Sequence, residues 1–175
     1  YIYQRLFENG PQLIIVEAAA GFGKTSISYE LIKELSADSK GTVPIITELS
    51  KNRTASIFKY VLLTEIDSKF SNLSSELVTY EIKQGKVPLI IDGFDELLSK
   101  SHDDVPSDLS DSDEKTAQTM LSTIAQLLDE NSHAKIVLTS RKSSIFAGEL
   151  FEEWSDKHLP HCQITRIQII PPVVS

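Results

Sequence analysis

Short apolar runs alternate along the chain with longer segments in which apolar residues recur every three or four positions. The short runs, rich in β-branched residues, cover positions 13–16, 43–47, 87–91, 135–139 and 164–170. Several of them lack polar alternation, which is typical of strands buried on both faces of a parallel sheet. The segments with helical spacing cover positions 27–35, 57–66, 73–81, 120–128 and 146–154. This alternation predicts an α/β fold with a doubly wound, mainly parallel five-stranded sheet flanked by helices.

The length and composition fit one globular domain. The 175 residues are 41% hydrophobic and 24% charged, close to the averages of globular proteins. The one cysteine, Cys162, excludes an internal disulfide. Because the chain starts at Tyr1 rather than Met and shows no signal-peptide pattern, we expect residues 1–175 to be a cytoplasmic domain cut from a longer protein.

The charge and hydropathy patterns argue against two classes of partner. The 17 Lys and Arg residues against 25 Asp and Glu residues give a formal net charge of −8, which does not favour binding to the phosphate backbone of nucleic acids. No apolar run approaches the ~20 residues of a membrane span, so we expect no membrane partner. Segment 101–115 contains six acidic residues and one lysine, and its composition predicts an exposed, mobile acidic loop.

The strongest chemical signal follows the first predicted strand. Residues 18–25 match the phosphate-binding pattern G-x-x-x-x-G-K-[ST], except that Ala18 replaces the first glycine. The two glycines allow the backbone N–H groups to turn toward an anion, and the following helix points its positive end at the same place. We expect Lys24 to span the outer phosphates and Thr25 to bind Mg²⁺. The predicted nucleotide-binding residues are Ala20, Gly21, Phe22, Gly23, Lys24, Thr25 and Ser26.

An acidic motif ends the third predicted strand. Asp92 follows four apolar residues, so its carboxylate is expected at the end of a buried strand, where Mg²⁺ or its waters would compensate the charge. Asp95 and Glu96 follow within one turn, and either could position the water that attacks a terminal phosphate. The alternative interpretation is an acidic strand-to-helix turn in which one of these two residues caps a helix.

A third motif, Thr139-Ser140-Arg141, ends the fourth predicted strand. Ligands of open α/β sheets bind outside the carboxyl ends of the strands. Either hydroxyl could therefore hydrogen-bond the attacking water, and Arg141 could reach the terminal phosphate. The alternative is a helix-start hydroxyl and a surface arginine. Candidates to flank the base precede the first strand: Ile2, Tyr3 and Leu6.

Together the three motifs resemble the nucleotide-binding domain of NACHT proteins, a branch of the STAND P-loop NTPases. That family has a Gly-Lys-Thr/Ser phosphate loop, an Asp-Gly-hydrophobic-Asp-Glu segment and a strand ending in Thr-Ser-Arg. The matching residues are Gly23-Lys24-Thr25, Asp92-Gly93-Phe94-Asp95-Glu96 and Thr139-Ser140-Arg141. The resemblance covers about residues 10–172. The spaced acidic pair is the discriminating element, because typical AAA+ proteins place the two acidic residues side by side.

The resemblance implies a molecular switch that binds ATP with Mg²⁺, hydrolyses it slowly, holds ADP at rest and self-associates when activated. It implies sensor and effector domains outside these residues and, as in many members, a role in innate immunity or in bacterial antiviral defence against phage. It also implies the strand order 5-1-4-3-2. The expected catalytic residues are Lys24, Asp95, Glu96 and Arg141, and the expected Mg²⁺ ligands are Thr25 and Asp92.

Three other functions remain open from the sequence. A nucleotide-binding oligomerisation module without catalysis would carry the same motifs. A nucleic-acid-dependent motor ATPase predicts a basic track, which the net charge and the lack of aromatic–basic runs argue against. A small-molecule kinase needs an arginine-rich lid, and the sequence contains no arginine cluster.

Overall fold

The fold is a parallel sheet between two layers of helices. The computed structural model describes residues 1–37, 42–49, 58–69, 72–97, 111–141 and 149–170. Within these ranges the strands are β1 (Gln12–Ala18), β2 (Ile45–Glu48), β3 (Leu89–Asp92), β4 (Lys135–Ser140) and β5 (Gln163–Ile169). The helices are α1 (Ile2–Arg5), α2 (Lys24–Ala37), α3 (Phe58–Lys69), α4 (Ser75–Lys83), α5 (Asp111–Leu127) and α6 (Glu149–His158). A 3₁₀ turn, Phe94–Leu97, follows β3.

The strands lie in the order β2-β3-β4-β1-β5, and each neighbouring pair is parallel. This confirms the predicted α/β class, the parallel sheet and the order 5-1-4-3-2. Ile91 of β3 is in register with Leu138 of β4, and Glu17 of β1 is in register with Ser140. The carboxyl ends of β1, β3 and β4 therefore lie side by side at one edge of the sheet.

Two apolar layers hold the helices against the sheet. Leu13 and Ile15 of β1 belong to the layer under α3, α4, α5 and α6, whereas Ile14 and Val16 belong to the layer under α1 and α2. All four are fully buried, because successive strand side chains point to opposite faces and both faces are covered. None of the helices in the described ranges is both long and apolar enough to cross a membrane.

One predicted boundary is wrong. The sequence predicts an acidic loop over 101–115, but residues 111–115 open helix α5. Acidic residues favour the positive amino-terminal end of a helix, so the composition that suggested a loop suits a helix start at these positions. Residues 101–110 lie outside the described residues. So do positions 146–148 of the last predicted helix, which is described from Glu149 onward.

Lys135 fixes the end of the sheet opposite to the three motifs. Its Nζ donates to the carbonyl oxygens of Glu8 and Gly10 in the loop before β1. The residue is 7% exposed, and burial lowers the pKa of its ammonium group. These contacts tie the segment before β1 to the start of β4.

Candidate nucleotide-binding site

The phosphate loop joins β1 to α2 at the carboxyl edge of the sheet. Gly21 and Gly23 have φ angles of +77° and +78°, a left-handed conformation that costs other residues about 1–2 kcal/mol. Helix α2 begins at Lys24, and Ile27 N donates to Gly23 O at 2.9 Å. The loop therefore presents the amino-terminal end of a 14-residue helix, whose first N–H groups are available to an anion.

Ala18 stands where the phosphate-loop pattern has its first glycine. It is the last residue of β1, is 2% exposed and is paired with Ile169 of β5. Extended backbone does not require glycine, so alanine fits the end of β1.

Three hydroxyl groups converge on Asp92, the last residue of β3. Thr25 Oγ1 donates to Asp92 Oδ2 at 2.7 Å. Asp92 Oδ1 accepts from Thr139 Oγ1 at 2.5 Å and lies 3.2 Å from Ser28 Oγ. Asp92 is only 7% exposed, and donors of this kind offset the hydration that a buried carboxylate loses. The contacts connect the phosphate-loop helix to β3 and β4.

The Thr25 hydroxyl and the Asp92 carboxylate are the kinds of oxygen donor that Mg²⁺ prefers. Mg²⁺ is usually held by one or two carboxylates, and phosphate and water oxygens complete its octahedron. Across the described part of the chain, no group of three or more His, Cys, Asp or Glu side chains could hold a metal ion. One hydroxyl and one carboxylate fit a Mg²⁺ ion whose other ligands are phosphate and water oxygens.

Thr139 forms two hydrogen bonds to residues at the end of β3. Its hydroxyl donates to Asp92 and accepts a 3.1 Å hydrogen bond from Gly93 N. A hydroxyl has one proton and two lone pairs, so Thr139 Oγ1 keeps one acceptor position for a water. Ser140 is fully buried and points to the other face of the sheet. The contact of one of these hydroxyls with the attacking water stays a prediction, and Thr139 in addition links β3 to β4.

Asp95 and Arg141 form an ion pair at the same edge. Asp95 lies in the 3₁₀ turn Phe94–Leu97 and is 6% exposed. Its Oδ1 accepts from Arg141 N at 2.7 Å, and its Oδ2 lies 2.9 Å from Arg141 Nε. The Arg141 side chain is 54% exposed, so it remains accessible to a ligand. The side chain of Glu96 lies outside the part that the structure describes.

Two further contacts at this edge involve residues that the sequence analysis did not select. Ser28 contacts Asp92 and is 1% exposed. Its position one turn after Thr25 is the feature of the sequence that could have identified it. Glu17 accepts from Arg166 Nη2 at 3.2 and 3.3 Å. The signal for that pair was one charged residue directly after the first apolar run and one within the last run, which become neighbouring strands.

A cavity of about 440 Å³ lies beside the phosphate loop, between α1, α2 and β5. Ile2 and Tyr3 line it from α1, and Ser26 and Ile27 line it from the first turn of α2. Small-molecule sites have volumes of this order and mainly apolar walls. Leu6, the third candidate to flank the base, is 3% exposed, belongs to the core under α1 and α2 and does not line this cavity.

Comparison with known proteins gives structural neighbours but no sequence relatives. No family model and no curated protein matches the chain. A chain of the E. coli MS115-1 HORMA–CdnC–Trip13 complex has a TM-score of 0.53 and 12% identity over 93% of this chain. The Aeropyrum pernix ORC2 protein, in its ADPNP–ADP complexes, has a TM-score of 0.51 and 14% identity over 97%. A chain of Drosophila ORC bound to GC-rich DNA and Cdc6 has a TM-score of 0.50 and 8% identity over 95%.

At these identities the likeness concerns the fold alone. The chain spans 50%, 44% and 26% of the lengths of the three matched chains. The strand order and the strand–loop–helix unit around Lys24 are those of P-loop NTPases. The chain therefore has the P-loop NTPase fold.

Proposed function

We propose that this chain is a Mg²⁺-dependent ATP-binding and slowly hydrolysing switch domain of the NACHT/STAND type. The observation that carries the proposal is the Asp92 carboxylate, held between Thr25 of the phosphate-loop helix and Thr139 of β4. It brings the predicted phosphate-binding and metal-binding motifs into direct contact. The P-loop NTPase fold and the ADPNP–ADP complexes of the similar ORC2 protein support a nucleotide as the ligand.

Each predicted residue takes a role that fits its position. The amides of residues 20–26 and the Lys24 ammonium group bind the phosphates. Thr25 and Asp92 hold Mg²⁺, which neutralises charge on the phosphate oxygens when bound. Arg141 reaches the terminal phosphate. Because Asp95 is bound to Arg141, we assign the positioning of the attacking water to Glu96.

The cavity beside the loop is the proposed site of the base. Its apolar walls at Ile2, Tyr3 and Ile27 can pack against the faces of a purine ring. Either purine suits a cavity of about 440 Å³, so the proposal extends to ATP and to GTP.

The finer assignment to the NACHT type rests on the spaced acidic segment 92–96. The proposal of the NACHT type also includes nucleotide-controlled self-association and sensor and effector domains beyond residues 1–175. It further includes a cytoplasmic role in innate immunity or antiviral defence. The net charge of −8 argues against nucleic acid as a partner, while one structural neighbour is Drosophila ORC bound to GC-rich DNA. Stimulation of ATP turnover by added DNA is the measurement that decides between these two indications.

A non-hydrolysing nucleotide-binding module is the second candidate. It is favoured by the Asp95–Arg141 pair, since this contact withdraws one of the two predicted acidic residues from an attacking water. A single-turnover assay with excess protein over labelled ATP separates the two candidates. Slow ADP formation that is lost in Glu96→Gln supports the hydrolysing switch, whereas tight ATP binding without any ADP formation supports the module.

The matched variants for this assay lie on one helix. Lys24→Ala is expected to abolish both binding and turnover, because it removes the cation nearest the phosphates. Lys33→Ala, on the exposed face of α2 with 77% of its side chain accessible, is expected to leave both unchanged.

A further inference from the structure

The Asp95–Arg141 pair lies next to the start of the phosphate loop. Arg141 directly follows Ser140, which is in register with Glu17 of β1. The loop begins one residue after Glu17, at Ala18. Asp95 reaches the same place from the turn after β3. The pair therefore bridges β3 and β4 beside the strand that carries the loop.

Asp95 holds Arg141 at two points. Its Oδ1 accepts from the backbone N at 2.7 Å, which fixes the position of the residue, and its Oδ2 lies 2.9 Å from Nε. A guanidinium group has five N–H donors, so the two η nitrogens keep four donors for a second anion. The turn that carries Asp95 is itself anchored by Phe94, which is fully buried.

Building on the nucleotide-binding function proposed above, we propose that Asp95 is a positioning residue that holds Arg141 for the terminal phosphate, so that the site distinguishes ATP from ADP. An arginine that is already held loses less side-chain freedom when it binds a phosphate. ADP lacks the terminal phosphate and gains nothing from this arrangement. The role replaces the water-positioning role that the sequence predicted for Asp95.

A double-mutant cycle on the preference for ATP over ADP tests this role. The Kd of each nucleotide is measured for the wild type, Asp95→Asn, Arg141→Ala and the double variant. Asp95→Asn keeps the side-chain size and an oxygen for Arg141 N, but removes the charge that holds Nε. Each single change is expected to raise the Kd for ATP about tenfold and the Kd for ADP less than twofold. The double variant should bind ATP no more weakly than Arg141→Ala alone.

Glu17→Gln is the matched control. Glu17 and Asp95 are both 6% exposed, and both carboxylates pair with an arginine at this edge of the sheet. This variant is expected to lose stability in thermal melts but to keep the wild-type ratio of the two Kd values.

The outcomes separate this inference from the function on which it rests. The positioning role would be overturned if the two single changes reduced the free energy of ATP binding additively in the double variant. It would also be overturned if they weakened the binding of ATP and of ADP equally. Either result would leave nucleotide binding in place. A wild type that binds neither nucleotide would overturn the proposed function and this role with it. If Asp95→Asn does not fold, Arg141→Ala still decides, because its side chain is half exposed and an unchanged ATP-over-ADP ratio overturns the role.

Discussion

Thr25 Oγ1 donates a 2.7 Å hydrogen bond to Asp92 Oδ2, although 67 positions of sequence separate the two residues. Thr25 lies in the first turn of α2, and Asp92 ends β3, two strands away from β1 in the sheet. The contact joins the two motifs from which the sequence predicts a Mg²⁺–nucleotide site, so changes at Thr25 probe that site directly.

Removal of the Thr25 hydroxyl is expected to abolish most of the Mg²⁺ dependence of nucleotide binding. Thr25→Ala removes the proposed oxygen ligand and one donor to Asp92, so Mg²⁺ should strengthen ATP binding roughly 10–100-fold less than in the wild type. Thr25→Ser keeps the hydroxyl and should restore the dependence. The measurement is the Kd for ATP with Mg²⁺ and with EDTA, and an unchanged ratio in Thr25→Ala would contradict the assignment.

Truncation of the proposed base cavity is expected to weaken the binding of ATP and of ADP equally, because both carry the same base. Ile2→Ala removes apolar wall area from the cavity, and a loss of roughly 3–10-fold follows from the area removed. Leu77→Ala, at an exposed apolar position of α4, is the control and should leave both Kd values unchanged. A loss confined to one nucleotide would place the base elsewhere.

Gly85 is expected to tolerate alanine less well than Gly10. Both have positive φ angles, +75° and +77°, but a Cβ on Gly85 would lie 2.5 Å from His133 O, whereas none of the described atoms lies within 4 Å of a Cβ on Gly10. Gly10→Ala should cost about 1 kcal/mol of unfolding free energy, and Gly85→Ala about 2–3 kcal/mol. Urea denaturation measures both, and equal losses would show that the contact with His133 contributes nothing.

The stability of the fold is expected to fall above pH 9 through Cys162. Burial raises the pKa of this thiol from 9.0 to about 12. The unfolded chain therefore releases the proton first, so the stabilisation is complete below pH 9 and is lost as the pH rises toward 12. Urea denaturation from pH 8 to 11 should show a steeper decline for the wild type than for Cys162→Ala. Parallel curves would contradict the raised pKa.

The sequence was sufficient for the fold because the central strands are buried on both faces. β1 is covered by α1 and α2 on one side and by the larger core on the other, and its residues 13–16 are therefore all apolar. The phosphate loop could also be predicted from the sequence, because its backbone conformation requires glycine. Only glycine adopts the φ angles of Gly21 and Gly23 without strain, and this leaves a local signature.

The contacts between side chains at the site could not be predicted from the sequence. The separation from Asp95 to Arg141 is 46 positions, and from Glu17 to Arg166 it is 149 positions, so sheet order and register decide these contacts. Thr139 illustrates the limit. Its place at the end of a strand was predictable, but its hydrogen bond to Asp92 depends on the register of β3 and β4.

The central claim is that the phosphate loop of this chain binds a nucleotide with Mg²⁺. Calorimetric titration of the purified protein with ATP and Mg²⁺ tests it most directly, with Lys24→Ala and Lys33→Ala titrated in parallel. We expect one site per chain in the wild type and in Lys33→Ala, and no measurable binding in Lys24→Ala. Equal binding by Lys24→Ala and the wild type, or no binding by the wild type, would contradict the claim.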